Sequence, residues 1–173
     1  MIEAIEKIRI YGDPVLRKQA SPIEEFDAEL GEFAGRMVEA MFENFGVGLA
    51  APQVGVSKRL IVIDKSFGEA ENDFMVLVNP EILEIAGEVS MQEGCLSVPG
   101  VYEDLVRPDR ILVRYRDVDG TVHEVDADGM LARVIQHETD HLNGVLFVDR
   151  LSSVKRQLLA KTLDGMTQAG DDS

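Results

Sequence analysis

Apolar residues recur at helical spacing in two long stretches of the chain and alternate with polar ones through most of the middle. Between Asp27 and Asn44 the apolar positions are Leu30, Phe33, Ala34, Met37, Val38, Met41 and Phe42, the rhythm of a helix with one buried face. Asp27 is placed to cap its start and Gly46 to stop it. A second helix is expected from Asp128, a candidate cap, to Asn143, with Met130, Leu131, Val134, Ile135 and Leu142 as its apolar positions and Gly144 just past its end. A third is expected from Ser153 to Leu163, with residues 165–173 as a frayed tail. Residues 59–64 and 74–79 are short and rich in β-branched residues, and are read as strands. Residues 81–98 should hold one or two more, ending near Cys95. Residues 110–116 and 121–126 alternate across Asp117-Val118-Asp119-Gly120, a hairpin signal. Helices separated by runs of strands predict an α+β fold in a single compact domain, residues 1–173, rather than a βαβ series.

Composition narrows the classes. The chain has 173 residues, 45% of them hydrophobic, enough for one core without disulfides. Seventeen basic against 32 acidic residues give a net charge of −15, which argues against broad or sequence-specific nucleic-acid binding. The single cysteine excludes an intrachain disulfide framework. The first twenty residues mix charged and apolar positions and contain no secretory core, and no apolar run reaches the roughly 18 residues of a membrane span. A cytoplasmic protein is expected.

The second helix carries the chemistry. His137-Glu138-Thr139-Asp140-His141 is an HExxH pattern, and residues four apart share one helix face. Two imidazoles so placed can hold one metal ion, while Glu138, about 100° round the helix, reaches a neighbouring water without being a ligand. A catalytic metal usually takes three protein ligands and one open position. After His141 there is no histidine or glutamate, only Asp149, Asp164, Asp171 and Asp172. Cys95, inside Glu93-Gly94-Cys95-Leu96-Ser97, is the strongest third candidate. Residues Gly46-Val47-Gly48-Leu49-Ala50-Ala51-Pro52-Gln53 offer little side chain before Gln53, which suits a cleft wall whose backbone binds substrate, with the Gln53 amide as an oxyanion donor. His123, in a predicted hairpin strand, reads as a surface histidine.

These three segments, together with Gln136 to Gly144 around the HExxH core, resemble the three signature motifs of the peptide deformylase family, in the same order. Gly12 to Arg17 and Gly144 to Phe147 match it as well, so the resemblance spans nearly the whole chain. It implies antiparallel strands around a central HExxH helix, with the Cys95 strand alongside. It implies a metal on Cys95, His137 and His141, with Fe²⁺ as the physiological ion and Zn²⁺, Ni²⁺ or Co²⁺ as replacements. It implies formate release from N-formylmethionyl nascent peptides, with Glu138 as acid and base, and Gln53 and the Leu96 backbone N–H at the oxyanion. Gly46, Val47, Gly48, Met91, Met130 and Val134 stand where the family lines its substrate pocket. Tyr102 departs from it: seven residues after the cysteine many members carry an arginine that contacts the peptide.

Two rival classes share part of this pattern. An HExxH metallopeptidase lacks support because no downstream ligand exists, and a non-catalytic metal-binding domain has no use for Glu138 or Gln53. The C-terminal helix adds a partner. From Arg150 to Leu163 the chain has Arg150, Lys155, Arg156 and Lys161 and no acidic residue, +4 within a total of −15. Some deformylases are thought to dock on the ribosome through a C-terminal helix, so a ribosome contact is expected there.

Overall fold

A computed structural model describes residues 5, 7–70 and 72–171. Its strands in chain order are β1 (Gly48–Ala50), β2 (Leu60–Asp64), β3 (Phe74–Ala86), β4 (Val89–Cys95), β5 (Val98–Arg107), β6 (Arg110–Arg116) and β7 (Val122–Asp128). The helices are α1 (Ala28–Glu43), α2 (Gly129–Leu142) and α3 (Ser153–Asp171). A five-stranded antiparallel sheet runs β1-β2-β3-β6-β7, and β4 and β5 form a separate hairpin sheet.

Strand β2 is the pivot of the packing. All five of its residues are buried, and their alternation sorts them between two helices. Ile61 and Ile63 join Leu77, Ile111, Val113 and Ala127 under α2, where Val134, Ile135 and Leu142 meet them. Leu60 and Val62 face the other way, onto Phe33, Met37 and Met41 of α1. The strand is therefore covered on both sides, as its unbroken apolar run requires. A third apolar cluster joins the β4–β5 hairpin, through Val98, Val101 and Leu105, to Phe147, Leu151 and Leu163. Helix α2 lies between the two sheets, as the resemblance implies. Among the described residues no helix is long and apolar enough to cross a membrane.

Helix α1 is capped as expected, with the Asp27 side chain accepting from the Leu30 N–H (3.0 Å). Its end differs from the expectation. The Gly46 N–H reaches the Met41 carbonyl (2.9 Å) and the Phe45 N–H the Phe42 carbonyl (3.1 Å), a Schellman closure. The left-handed residue in it is Phe45 (φ 57°), not a glycine. A bulky residue in that conformation costs about 1–2 kcal/mol. Asp128 occupies the cap position of α2 but its side chain makes no capping bond.

Three boundaries depart from the sequence reading. Residues 74–86 form one strand rather than two, because β3 absorbs Pro80 in a bulge between Val78 and Glu81. There Asn79 turns left-handed (φ 51°) and its side chain brackets Ile23, accepting from its N–H and donating to its carbonyl, both at 2.8 Å. Strand β5 was not anticipated, since Val98–Arg107 mixes Pro, Gly and three charged residues; pairing with β4 creates it. Helix α3, expected to stop near Leu163, continues to Asp171 because Met166 packs on the third cluster and Thr167 lies against Gly12. Of the expected frayed tail, residues 172–173 lie outside the described residues.

If β2 is the pivot, Ile61→Ala should cost about 2–5 kcal/mol, as buried deletions do. Leu158, 79% exposed on α3, should change stability by less than about 0.5 kcal/mol when made alanine. Urea unfolding midpoints of the two variants check the contrast.

Candidate metal centre

Residues Ala132 to Leu142 of α2 are buried without exception, although seven of these eleven are polar. A helix buried all round must find partners for every such group. The partners come from β4, β5 and the segment after α2. Glu93 is the hub: Arg107 Nε donates to Oε2 (2.6 Å), Arg107 Nη2 to Oε1 (3.0 Å) and Arg133 Nη1 to Oε2 (2.6 Å). Asp140 accepts from Arg107 Nη1 (2.9 Å) and from both ends of the Arg150 guanidinium (2.6 and 2.8 Å).

That network also orients the first histidine. His137 Nδ1 lies 2.8 Å from Glu93 Oε1. A carboxylate tied to two arginines only accepts, so Nδ1 carries the proton and Nε2 is left with its lone pair. One helical turn on, His141 Nε2 stands 3.4 Å from Cys95 Sγ. Cys95 sits at the end of β4, where the β4–β5 turn brings it alongside α2. The donor atoms of Cys95, His137 and His141 all lie within 4.8 Å of one another. Thiolate sulfur beside two imidazole nitrogens is a fitting donor set for a borderline transition metal, and His141 Nδ1 is buried without a partner in the protein. The three residues predicted as ligands are thus brought together.

Charge in the site follows from burial. Burial opposes a second proton on His137, but hydrogen bonds to Cys95 and Glu93 overcome it and raise its pKa well above the ordinary value, so a metal ion taking the Nε2 lone pair would displace a proton there. His141 is pushed well below, by burial first and by His137 second. Burial pushes Glu138 up to about 7. Its Oε1 is 4.0 Å from His137 Nε2, and Oε2 has no protein partner.

Strand β1 forms the facing wall. Gly48 and Ala50 turn toward α2 while Leu49 enters the α1 cluster. A methyl group on Gly48 would lie 2.8 Å from Glu138 Oε1 and from Val134 Cγ1, so only glycine admits Glu138 here. The tight turn after β1 returns Gln53: its Oε1 accepts from the Ala50 N–H (2.9 Å), and its Nε2 donates to Ser97 Oγ (3.1 Å) and points at Cys95 Sγ (3.6 Å).

A cavity of about 410 Å³ opens over this group. Gly46, Val47, Gly48, Gln53, Cys95, Leu96, Tyr102, Met130, Val134, His137 and Glu138 all line it. Met91 does not; it is half-buried on β4, opposite Leu105. His123 is at the surface as expected, 2.8 Å from Asp117 and stacked on Tyr115. The sequence reading missed the roles of Glu93, Arg107, Arg133 and Asp140. The available signal was four charged residues in or beside a helix and strands otherwise suited to burial.

The Glu93 hub carries a prediction for acid and for mutation. Burial opposes its ionisation, but hydrogen bonds from His137 and Arg107 hold its pKa far below the usual carboxylate range. Its contribution to stability is therefore present above that range and lost as the pH falls toward the depressed value. Glu93→Gln should cost about 3–5 kcal/mol at neutral pH, because buried Arg133 loses its carboxylate partner and buried Arg107 keeps only Asp140. Metal affinity should fall about 10–100-fold as His137 loses its orienting partner. Unfolding measured from pH 3 to 8, with zinc titration, reads both effects, and the gap between wild type and variant should narrow in acid.

Known proteins resemble this chain in sequence and fold. The family model described as polypeptide deformylase matches residues 5–157. A peptide deformylase of Acidobacterium capsulatum is 46% identical over 171 residues, 99% of each chain. One of Thermotoga maritima is 49% identical over 158 residues, covering 91% of this chain and 93% of that one. Among solved structures, a Legionella pneumophila peptide deformylase superposes with a TM-score of 0.87 at 44% identity over 98% of this chain and 99% of that one. A Plasmodium falciparum peptide deformylase gives a TM-score of 0.91 at 34% identity over 96% and 98%. On motif order, fold and the Cys95–His137–His141 group together, the chain belongs to the polypeptide deformylase family.

Proposed function

We propose that this chain hydrolyses the N-terminal formyl group of formyl-methionyl peptides, releasing formate and a free amine. The observation that carries the reading is the placement of Glu138, buried beside the Cys95–His137–His141 group yet outside it, at the floor of a cleft walled by backbone. Cys95, His137 and His141 would hold a divalent ion, which would supply a polarising charge and acidify a water molecule. Glu138, with its pKa raised to about 7, takes a proton from that water as the oxygen adds to the formyl carbon. It returns the proton to the nitrogen as the C–N bond breaks, so one water is consumed and formate and amine result. The Gln53 amide, whose longer contact to Cys95 Sγ can give way, and the Leu96 backbone N–H serve the oxyanion. Val47, Met130 and Val134 receive the methionine side chain, and Gly46 and Gly48 leave the β1 wall open to the peptide backbone. Fe²⁺ is the proposed resident ion, with Zn²⁺, Ni²⁺ and Co²⁺ as substitutes, and the proposed compartment is the cytoplasm.

Helix α3 supports a narrower form of the proposed ribosome contact. Arg150 is spent on Asp140, and Lys155 lies 3.4 Å from Glu103. Arg156 and Lys161 remain exposed, beside the exposed Val154 and Leu158. These two cations are the ones that can meet a phosphate backbone.

Formate release from a formyl-Met peptide, by protein purified without oxygen and analysed for metal, tests the main reading. Glu138→Gln should keep the metal and lose at least about 10²–10⁴-fold in turnover. Cleavage of internal peptide bonds without formate release would make it a peptidase instead. For α3, Arg156→Gln with Lys161→Gln should weaken ribosome co-sedimentation, and wild-type binding should fall as salt rises. Unchanged co-sedimentation would leave α3 a packing element alone.

A further inference from the structure

Phe45 is 95% exposed and left-handed (φ 57°), a conformation that glycine holds without cost. Its position as the residue after α1 would be better filled by glycine or asparagine for folding alone. An aromatic ring kept bare in a costly backbone state has no packing role to explain it. Phe67, the other left-handed aromatic, differs: it is 36% exposed and does not line the cleft.

Phe45 does line the cleft, and so does Tyr102, itself 64% exposed. Both are tied to the same short run of β4. A methyl group on Gly46, next to Phe45, would lie 2.9 Å from Leu96 Cδ1, so that segment rests on Leu96. A methyl group on Gly94 would lie 2.6 Å from the Tyr102 ring, so the ring lies flat over the backbone just before Cys95. Between and below them the cleft offers Val47, Leu96 and Met130. Its charged lining residues are committed further in: Arg133 is buried on Glu93 and on two backbone carbonyls, and Glu138 and His137 belong to the metal centre. Among the described lining residues, no free cation faces the outer cleft.

We propose that Phe45 and Tyr102 form an aromatic lip that selects apolar, above all aromatic, side chains at the residues directly after the formyl-methionine. The lip rests on the deformylase reading of the site and adds to it a preference set by this chain's own residues. The methionine side chain fills the inner pocket, and the following residues leave over the rim where the two rings stand. Aromatic side chains there exchange water for the ring faces.

The test compares formyl-Met-Phe-Phe with formyl-Met-Ala-Ala, both uncharged in their side chains, in wild type, Phe45→Gly and Tyr102→Ala. Wild type should favour the aromatic peptide about tenfold in kcat/KM, the scale of one aromatic pair with its buried area. Each variant should lose most of that preference, chiefly through a higher KM for the aromatic peptide. Phe45→Gly should also melt higher, by about 2–4 °C, since glycine suits the left-handed position. Lost preference with gained stability separates a recognition role from a structural one. Calorimetric Kd values for the products Met-Phe-Phe and Met-Ala-Ala give the same ratio without turnover. If no peptide releases formate, the hydrolase reading fails and the lip is judged on those Kd values. A wild-type ratio near one, or an unchanged ratio in both variants, overturns the lip.

Discussion

The Glu93 carboxylate ties the β4–β5 sheet to one buried helix. It gathers Arg107 of β5, Arg133 and His137 of α2, and stands on β4 itself. Remove it and Arg107, Arg133 and His137 each lose a charged acceptor together. Taking such charges out of water costs about what their mutual attraction returns, so apolar residues could hold this interface as firmly. What apolar residues could not do is fix the rotation of an imidazole. The His137 ring is set by a hydrogen bond that is itself set by two arginines, and Nε2 faces the Cys95–His141 pair because of that chain of constraints.

A second constraint is steric and belongs to β1. Glu138 can be buried beside the metal centre only if the wall opposite has no side chain. Gly48 meets that demand, and the alternation of the strand then commits Leu49 to the α1 core. The same short strand delivers Gln53 through a tight turn closed by its own side chain on the Ala50 N–H. Core packing and site geometry are therefore one problem on this segment: β2 holds β1 by Gly48↔Ile63, Leu49↔Val62 and Ala50↔Ile61, and is itself held between two helices.

Much of this was legible before any coordinates. The spacing of His137 and His141 is a property of the helix, so their common face follows from local geometry. The alternation in β6 and β7 and the turn between them are local too, and both strands form close to where the pattern places them. Cys95 was legible by chemistry, since the chain past His141 holds no other strong donor. Strand β5 was hidden because its residues have little strand character alone and pair only once β4 is beside them. Met91 lies outside the cavity that its neighbour Gln92 lines, because nearness to a motif in sequence does not say which side chains a cleft admits.

The sequence by itself determined the helix, its two histidines, the neighbouring carboxylate and the third donor, because these depend on residue type and short-range spacing. Tertiary structure alone decided which charges meet. Glu93 and Arg107 are fourteen residues apart, Glu93 and His137 forty-four. It also decided that Arg150 and Lys155 pair with carboxylates of the same chain and that Phe45 stands bare at the cleft. No local pattern encodes such pairings: an ion pair or a ring at a rim is defined by what lies opposite, and only the folded chain puts it there.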